Sequence, residues 1–231
     1  MAQHQRALVI TGGFGVLGSA VARAAAARGW RVAMVDSAPQ APPDLAGIGD
    51  TRAGVDLVDP ASAARAMAEL NGTLGGVDAL FNIAGAFRWV TLEDSGADDA
   101  WDLLFRANVQ TAANAARAAL PFLKASGHGR IVNVGAGAAE HAAAGMGPYA
   151  ASKAGVHRLT ESLAAELKDH GVTVNAVLPS IIDTPRNRAD MPSADFTRWV
   201  GPAELAEVML FLASDAASAV TGALIRVPGR V

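Results

Sequence analysis

The chain has 231 residues, 51% hydrophobic and 18% charged, which is enough apolar material for one compact domain with a large core. A formal charge of -3 supplies no global basic field for nucleic-acid phosphates, and the lack of cysteine excludes a disulfide framework and thiolate zinc sites. None of the five histidines pairs at metal-ligand spacing, so redox chemistry in this chain calls for a bound organic cofactor.

Gln3, His4, Gln5 and Arg6 precede a short apolar run, and no window reaches 18 uninterrupted apolar residues. Neither a signal peptide nor a membrane span is expected, and a cytoplasmic location is the default. Ala7 to Ile10 reads as a buried strand, followed at once by Thr11-Gly12-Gly13-Phe14-Gly15-Val16-Leu17-Gly18 and an alanine-rich helix from Ser19 to Arg28 that Gly29 ends. Strand, glycine turn and helix in this order favour a dinucleotide. The glycines let backbone approach a pyrophosphate, and the helix N-terminus offers free N–H groups. No Gly-Lys-Ser/Thr follows, which argues against a triphosphate loop.

Trp30 to Val35 gives a second strand ending at Asp36, 18 residues after Gly18. A carboxylate there suits the adenosine ribose hydroxyls and repels a 2'-phosphate, which favours NAD over NADP. Asp36 could instead only start the turn of Ser37 and Pro39, and Arg31 could swing toward a phosphate. A third strand is expected over Ala53 to Val58, with Asp56 at its carboxyl end. Asp59-Pro60 would then cap a helix to about Leu70. Gly75 to Phe81 brings a fourth strand, ending at Asn82-Ile83-Ala84-Gly85. Alternating strands and helices imply a parallel sheet covered on both faces, with ligands beyond the strands' carboxyl ends.

Phe87 and Trp89 fall at the rim of that crevice. One long helix is expected from Asp99 to Lys124, with Leu103, Leu104, Ala107, Thr111, Ala115, Ala118 and Phe122 as its inner stripe and a kink at Pro121. Asn108 and Asn114 lie in this pattern, where a hydrogen bond is their simplest use. Arg130 to Val134 is the fifth strand. A small-residue segment then leads to Tyr149 and Lys153, four apart and so on one helix face. An ammonium one turn from a phenol would lower its pKa from near 10 toward the range of general acid–base chemistry. Alternatively, the ring caps a core and the lysine snorkels to water. The helix continues through Val156, Leu159, Leu163, Leu167 and His170 to Gly171. Thr173 to Leu178 and Ala223 to Val227 are the last strands, separated by an irregular stretch from Ser180 to about Gly201 and a helix from Pro202.

With the glycine turn, Asp36, Asn82-Ile83-Ala84-Gly85, Asn108 and the Tyr149/Lys153 pair in one chain, the sequence resembles the short-chain dehydrogenase/reductases over essentially its full length. The resemblance implies one α/β, Rossmann-like domain over 1–231. Its sheet would be mostly parallel and seven-stranded with helices on both faces, and residues 180–200 would form a substrate loop. It implies an NAD cofactor against Gly12, Gly15, Leu17, Gly18, Asp36, Asp56, Asn82, Ala84, Gly85, Lys153, Pro179 and Thr184, with no metal. Tyr149 is implied as the proton donor or acceptor. Lys153 would tune it and bind the nicotinamide ribose, and Asn108 would hold a water in a proton relay. A small-molecule substrate and a homodimer or homotetramer are also implied.

Two positions depart from the family pattern. Val16 replaces a glycine, and Ala136 stands where the family's catalytic serine lies, thirteen residues before Tyr149. The glycine turn, Gly135 to Ala139, and Leu178-Pro179 through Asp183-Thr184-Pro185 to Trp199 look most like quinonoid dihydropteridine reductase, which also lacks that serine. A planar pterin substrate is the expectation from this likeness. A carbonyl reductase or alcohol dehydrogenase, and a non-catalytic NAD-binding regulator, are the alternatives.

Overall fold

The inner strand segments are mostly apolar runs because both faces of the sheet are covered, and alternate side chains feed two separate cores. In the computed structural model, which describes residues 5–231, Ala7 and Val9 of β1 (Ala7–Thr11) face one side, while Leu8 and Ile10 face the other. Gln3 and His4 lie outside the described residues. The remaining strands are β2 (Arg31–Val35), β3 (Asp50–Arg52), β4 (Ala79–Asn82), β5 (Arg130–Val134), β6 (Thr173–Pro179) and β7 (Leu224–Val227). They form a parallel seven-stranded sheet in the order β3-β2-β1-β4-β5-β6-β7.

Helices α2 (Pro60–Leu74), α4 (Thr111–Ser126) and α5 (Gly147–Leu167) cover one face through Met67, Leu70, Leu123, Leu163 and Leu167. Helices α1 (Val16–Ala27) and α7 (Pro202–Leu212) cover the other through Val21, Leu205 and Met209, packed against Phe81 and Val132. The chain runs outward from β1 to β3 and then returns to place β4 beside β1. This reversal opens a crevice at the carboxyl ends of β1 and β4, the usual ligand position in an open α/β sheet.

Several local expectations are corrected. The third strand is Asp50–Arg52, and Asp56 lies in the loop after it, because Asn114 of α4 donates to the carbonyls of Leu57 and Val58 at 3.0 Å each and holds that loop against the helix. α1 starts at Val16, inside the glycine turn. The single helix expected from Asp99 is α3 (Ala97–Phe105) joined to α4 by a π turn over Arg106–Gln110, closed by Thr111 N–H donating to the Arg106 carbonyl. The wider turn shifts the helical register, so Leu103 is exposed whereas Asn108 is buried. Pro121 lies within α4 without ending it. His170 is exposed on the 3-10 turn that Gly171 closes at φ 70°.

The stretch after β6 is a latched strap with structure of its own. It carries α6 (Pro185–Asp190) and a 3-10 turn at Phe196–Arg198. Its two ends meet where Asp183 N–H donates to Val200 O at 2.8 Å and Val200 N–H donates to Ile181 O at 2.9 Å. No helix among the described residues is long and apolar enough to cross a membrane.

Candidate active site

Thr11, the last residue of β1, is buried, and its Oγ1 accepts the N–H groups of Ile83 and Ala84 at 3.1 and 3.2 Å. The loop after β4 is thereby drawn against the glycine turn. A Cβ on Gly12 would lie 2.8 Å from Ala84 N, and one on Gly18 would lie 2.2 Å from Gly12 O, so neither position accepts a side chain without movement. Bare backbone and the N-terminus of α1 consequently face a cavity of about 620 Å³ lined by Gly12, Gly15, Leu17, Gly18, Ala84 and Gly85.

Asp36, Asp56 and Thr184 complete this cavity. The Asp36 carboxylate accepts Phe14 N–H at 3.1 Å and Ala38 N–H at 3.0 Å, which fixes it at the crevice edge. Asp56 accepts Val58 N–H at 2.8 Å. The backbone cradle, a helix N-terminus and a carboxylate at the end of β2 fit a dinucleotide. Asn82 does not line this cavity. It is buried behind the wall, donating to Asn133 Oδ1 at 2.9 Å, while Asn133 donates to Thr160 Oγ1 at 2.8 Å. Its role is to join β4 to β5 and α5.

A second cavity of about 820 Å³ is lined by Tyr149, Lys153, Phe87, Trp89, Met146 and Pro179, among others. Val134, Ile182, Thr184 and Arg186 line both spaces, so a ligand in one borders a ligand in the other. Pro179 belongs to the second cavity only. Phe87 meets the Tyr149 ring edge-on, with centroids 4.8 Å apart at 83°. Trp89 donates to Ala144 O at 3.0 Å across the small-residue loop. Gly145 makes room for this indole, since a Cβ there would lie 2.2 Å from it.

Lys153 is buried, and its ammonium donates to Val134 O, at the end of β5, at 2.7 Å. Asn108 is clamped more fully. Its Oδ1 accepts Ala86 N–H at 2.8 Å, and its Nδ2 donates to Ala86 O at 3.0 Å and to Ser152 Oγ at 2.9 Å. Ser152 Oγ in turn donates to Tyr149 O at 2.7 Å, so the π turn, the β4 loop and α5 share one hydrogen-bonded unit. Sequence reasoning missed Ser152 and Thr11, although each sits beside a motif residue.

The expected electrostatic tuning is corrected. Burial pushes the Tyr149 phenol up to about 12 from 10.0, and burial pushes the Lys153 ammonium down to about 8 from 10.5. Desolvation is the cause in both, so the ammonium held at Val134 O does not offset the burial of the ring. At neutral pH the pair is a neutral phenol beside a mostly protonated amine. Ala136 is buried, lines the second cavity and carries no side-chain donor. Its backbone N–H donates to His157 Nε2 at 3.4 Å. Arg188 lines neither cavity, because Asp183 holds it in two bonds of 2.6 and 2.7 Å and the Phe196 ring lies 4.8 Å away.

Against known proteins, residues 6–194 match the short chain dehydrogenase family model. The chain belongs to this family. It is a dinucleotide-using oxidoreductase of the carbonyl-reducing kind that the family comprises. Among its relatives, the 3-oxoacyl-(acyl-carrier-protein) reductase FabG of Escherichia coli (strain K12) is 32% identical, covering 96% of this chain and 95% of its own. The same-named protein of Thermotoga maritima is 36% identical over 67% of this chain and 66% of its own. A D-beta-hydroxybutyrate dehydrogenase of Rhizobium meliloti is 28% identical, covering 96% of each. These relationships overturn the expected likeness to quinonoid dihydropteridine reductase, which rested on loop segments, whereas the FabG match from Escherichia coli runs through nearly the whole sheet and its helices.

The Lys153 shift predicts a pH signature. Its folded pKa lies below its unfolded value, so the unfolded chain binds the extra proton between about 8 and 10.5, and folding stability gains from this group as pH rises through that window. The stability of wild type relative to Lys153→Met, from urea unfolding at successive pH values, should therefore climb by up to ~1.4 kcal/mol per pH unit. A flat difference would show that the amine is not desolvated.

Proposed function

We propose that the chain is an NAD(H)-dependent carbonyl reductase, or an alcohol dehydrogenase in the reverse direction. The observation that carries this is the position of Tyr149 and Lys153 on a cavity that shares four lining residues with the dinucleotide-shaped space. A nicotinamide dinucleotide, when bound, supplies or accepts the hydride. Tyr149 holds the proton. A phenol whose pKa is about 12 is fully protonated at neutral pH, the state required to donate to a carbonyl oxygen as it gains charge.

Lys153, one helical turn from Tyr149, anchors α5 to Val134 O and would bind the nicotinamide ribose. Asn108, clamped to Ala86 and Ser152, presents a fixed amide for a proton path toward Lys153. Asp36 meets the adenosine ribose, Asp56 lies along the adenine side, and Thr184 lies where the two cavities meet. Phe87, Trp89, Met146 and Met191 give the substrate side an apolar lining, and the strap at 180–200 covers it. The names of the relatives support a 3-oxoacyl or 3-hydroxyacyl compound as the first substrate class to assay. A homodimer or homotetramer of single-domain chains completes the proposal.

Tyr149→Phe should lower kcat for a 3-oxoacyl thioester by roughly 100- to 10,000-fold, with the dissociation constant for NADH little changed. Retained turnover on a substrate that wild type reduces would remove Tyr149 from the proton step. For the cofactor, titration should give NADH at least about tenfold tighter binding than NADPH, and Asp36→Ala should narrow the ratio by removing like-charge repulsion. Equal affinities in the wild type would contradict the assignment of Asp36.

A further inference from the structure

The cavity that faces the glycine turn offers a pyrophosphate mainly backbone N–H groups and little full positive charge. Among the described residues lining it, Asp36 and Asp56 are acidic and Arg186 is the one basic side chain. The N-terminus of α1 contributes only a partial charge of about +0.5. We propose that Arg186 is a phosphate ligand for the dinucleotide, exchanging Asp190 for the pyrophosphate when the cofactor enters. It has this role where the cavity holds a dinucleotide, as in the function proposed above.

Three features make the exchange feasible. First, Arg186 already lines both cavities, so no rearrangement of the strap is needed to bring it near either ligand. Second, its base is fixed. Thr184 Oγ1 accepts Asn187 N–H at 3.1 Å to cap α6, and Asn187 Nδ2 donates to Ile182 O at 2.8 Å. Third, its present partner is weak: the Asp190 contact of 2.8 Å joins side chains that are 84% and 50% exposed, where water screens an ion pair heavily. A phosphate on the guanidinium fork is a stronger, geometrically matched partner. Arg188 does not compete for this role, because Asp183 and Phe196 occupy it. Placed on the boundary, Arg186 would also couple cofactor entry to the shape of the substrate cavity.

Calorimetric titration with ADP-ribose, which carries the pyrophosphate, and with adenosine, which does not, tests this without turnover. Arg186→Gln should weaken ADP-ribose binding about tenfold or more and leave adenosine unchanged, and Arg186→Lys should lie between. Asp190→Asn should tighten ADP-ribose by removing the competing carboxylate. Wild-type affinity for ADP-ribose in Arg186→Gln would overturn the assignment, as would an equal loss of adenosine. Failure of the wild type to bind ADP-ribose would instead remove the dinucleotide reading of the cavity itself.

Discussion

A buried ammonium tied to a strand carbonyl holds the reactive end of this molecule together. Lys153 reaches from α5 to Val134 O, and the contact draws the helix that carries Tyr149 onto the end of β5. Burying an amine is costly, and its pKa near 8 records that cost. The arrangement persists because the surrounding structure fixes it from several sides. Asn133 bonds Thr160 farther along the same helix, and Ser152 links α5 to Asn108 on the π turn. A Cβ on Gly85 would come within 2.5 Å of Asn108 Oδ1 and 3.5 Å of Lys153 Nζ, so the β4 loop also meets this unit through bare backbone.

The sheet reversal places the two cavities side by side on this framework. One has walls of glycine backbone and carboxylate, suited to a charged, hydroxyl-rich ligand. The other has aromatic and methionine walls, suited to an apolar one. Tyr149 belongs to the second, which shares Val134, Ile182, Thr184 and Arg186 with the first. Its phenol is desolvated by the same enclosure that would keep water away from a substrate. Protonation is therefore its resting state, which suits donation in the reductive direction. Ala136 lines the same cavity and contributes no side-chain donor to it.

Much of this was legible in the sequence because strands buried on both faces must be apolar runs, and glycine turns and helix ends carry local signals. The parallel seven-stranded sheet and the placing of Gly12 and Asp36 at the carboxyl ends of its strands follow from those rules, whereas the place of Tyr149 and Lys153 comes from the family resemblance. What escaped depends on tertiary partners. Val55 and Leu57 read as strand, yet Asn114 captures the carbonyl of Leu57 and the shorter edge strand pairs earlier. A π turn has no compositional mark, so the sequence pattern puts Leu103 on the inner stripe and does not reveal that Asn108 gains its burial from the changed register. Asn82 looks like a cofactor residue by position, but it does not line the cavity and its Nδ2 donates to Asn133. The four-residue spacing of Tyr149 and Lys153 fixes the helix face but not what the ammonium bonds to.

Tyr149 is the single tyrosine in the chain, so phenolate absorbance during a base titration reports on this one group. With circular dichroism showing the fold intact, no phenolate should appear at about pH 10 and ionisation should begin well above it, toward about 12. Half-ionisation at or below the ordinary value of 10.0 in the folded chain would mean that the ring is not held as a desolvated, protonated donor.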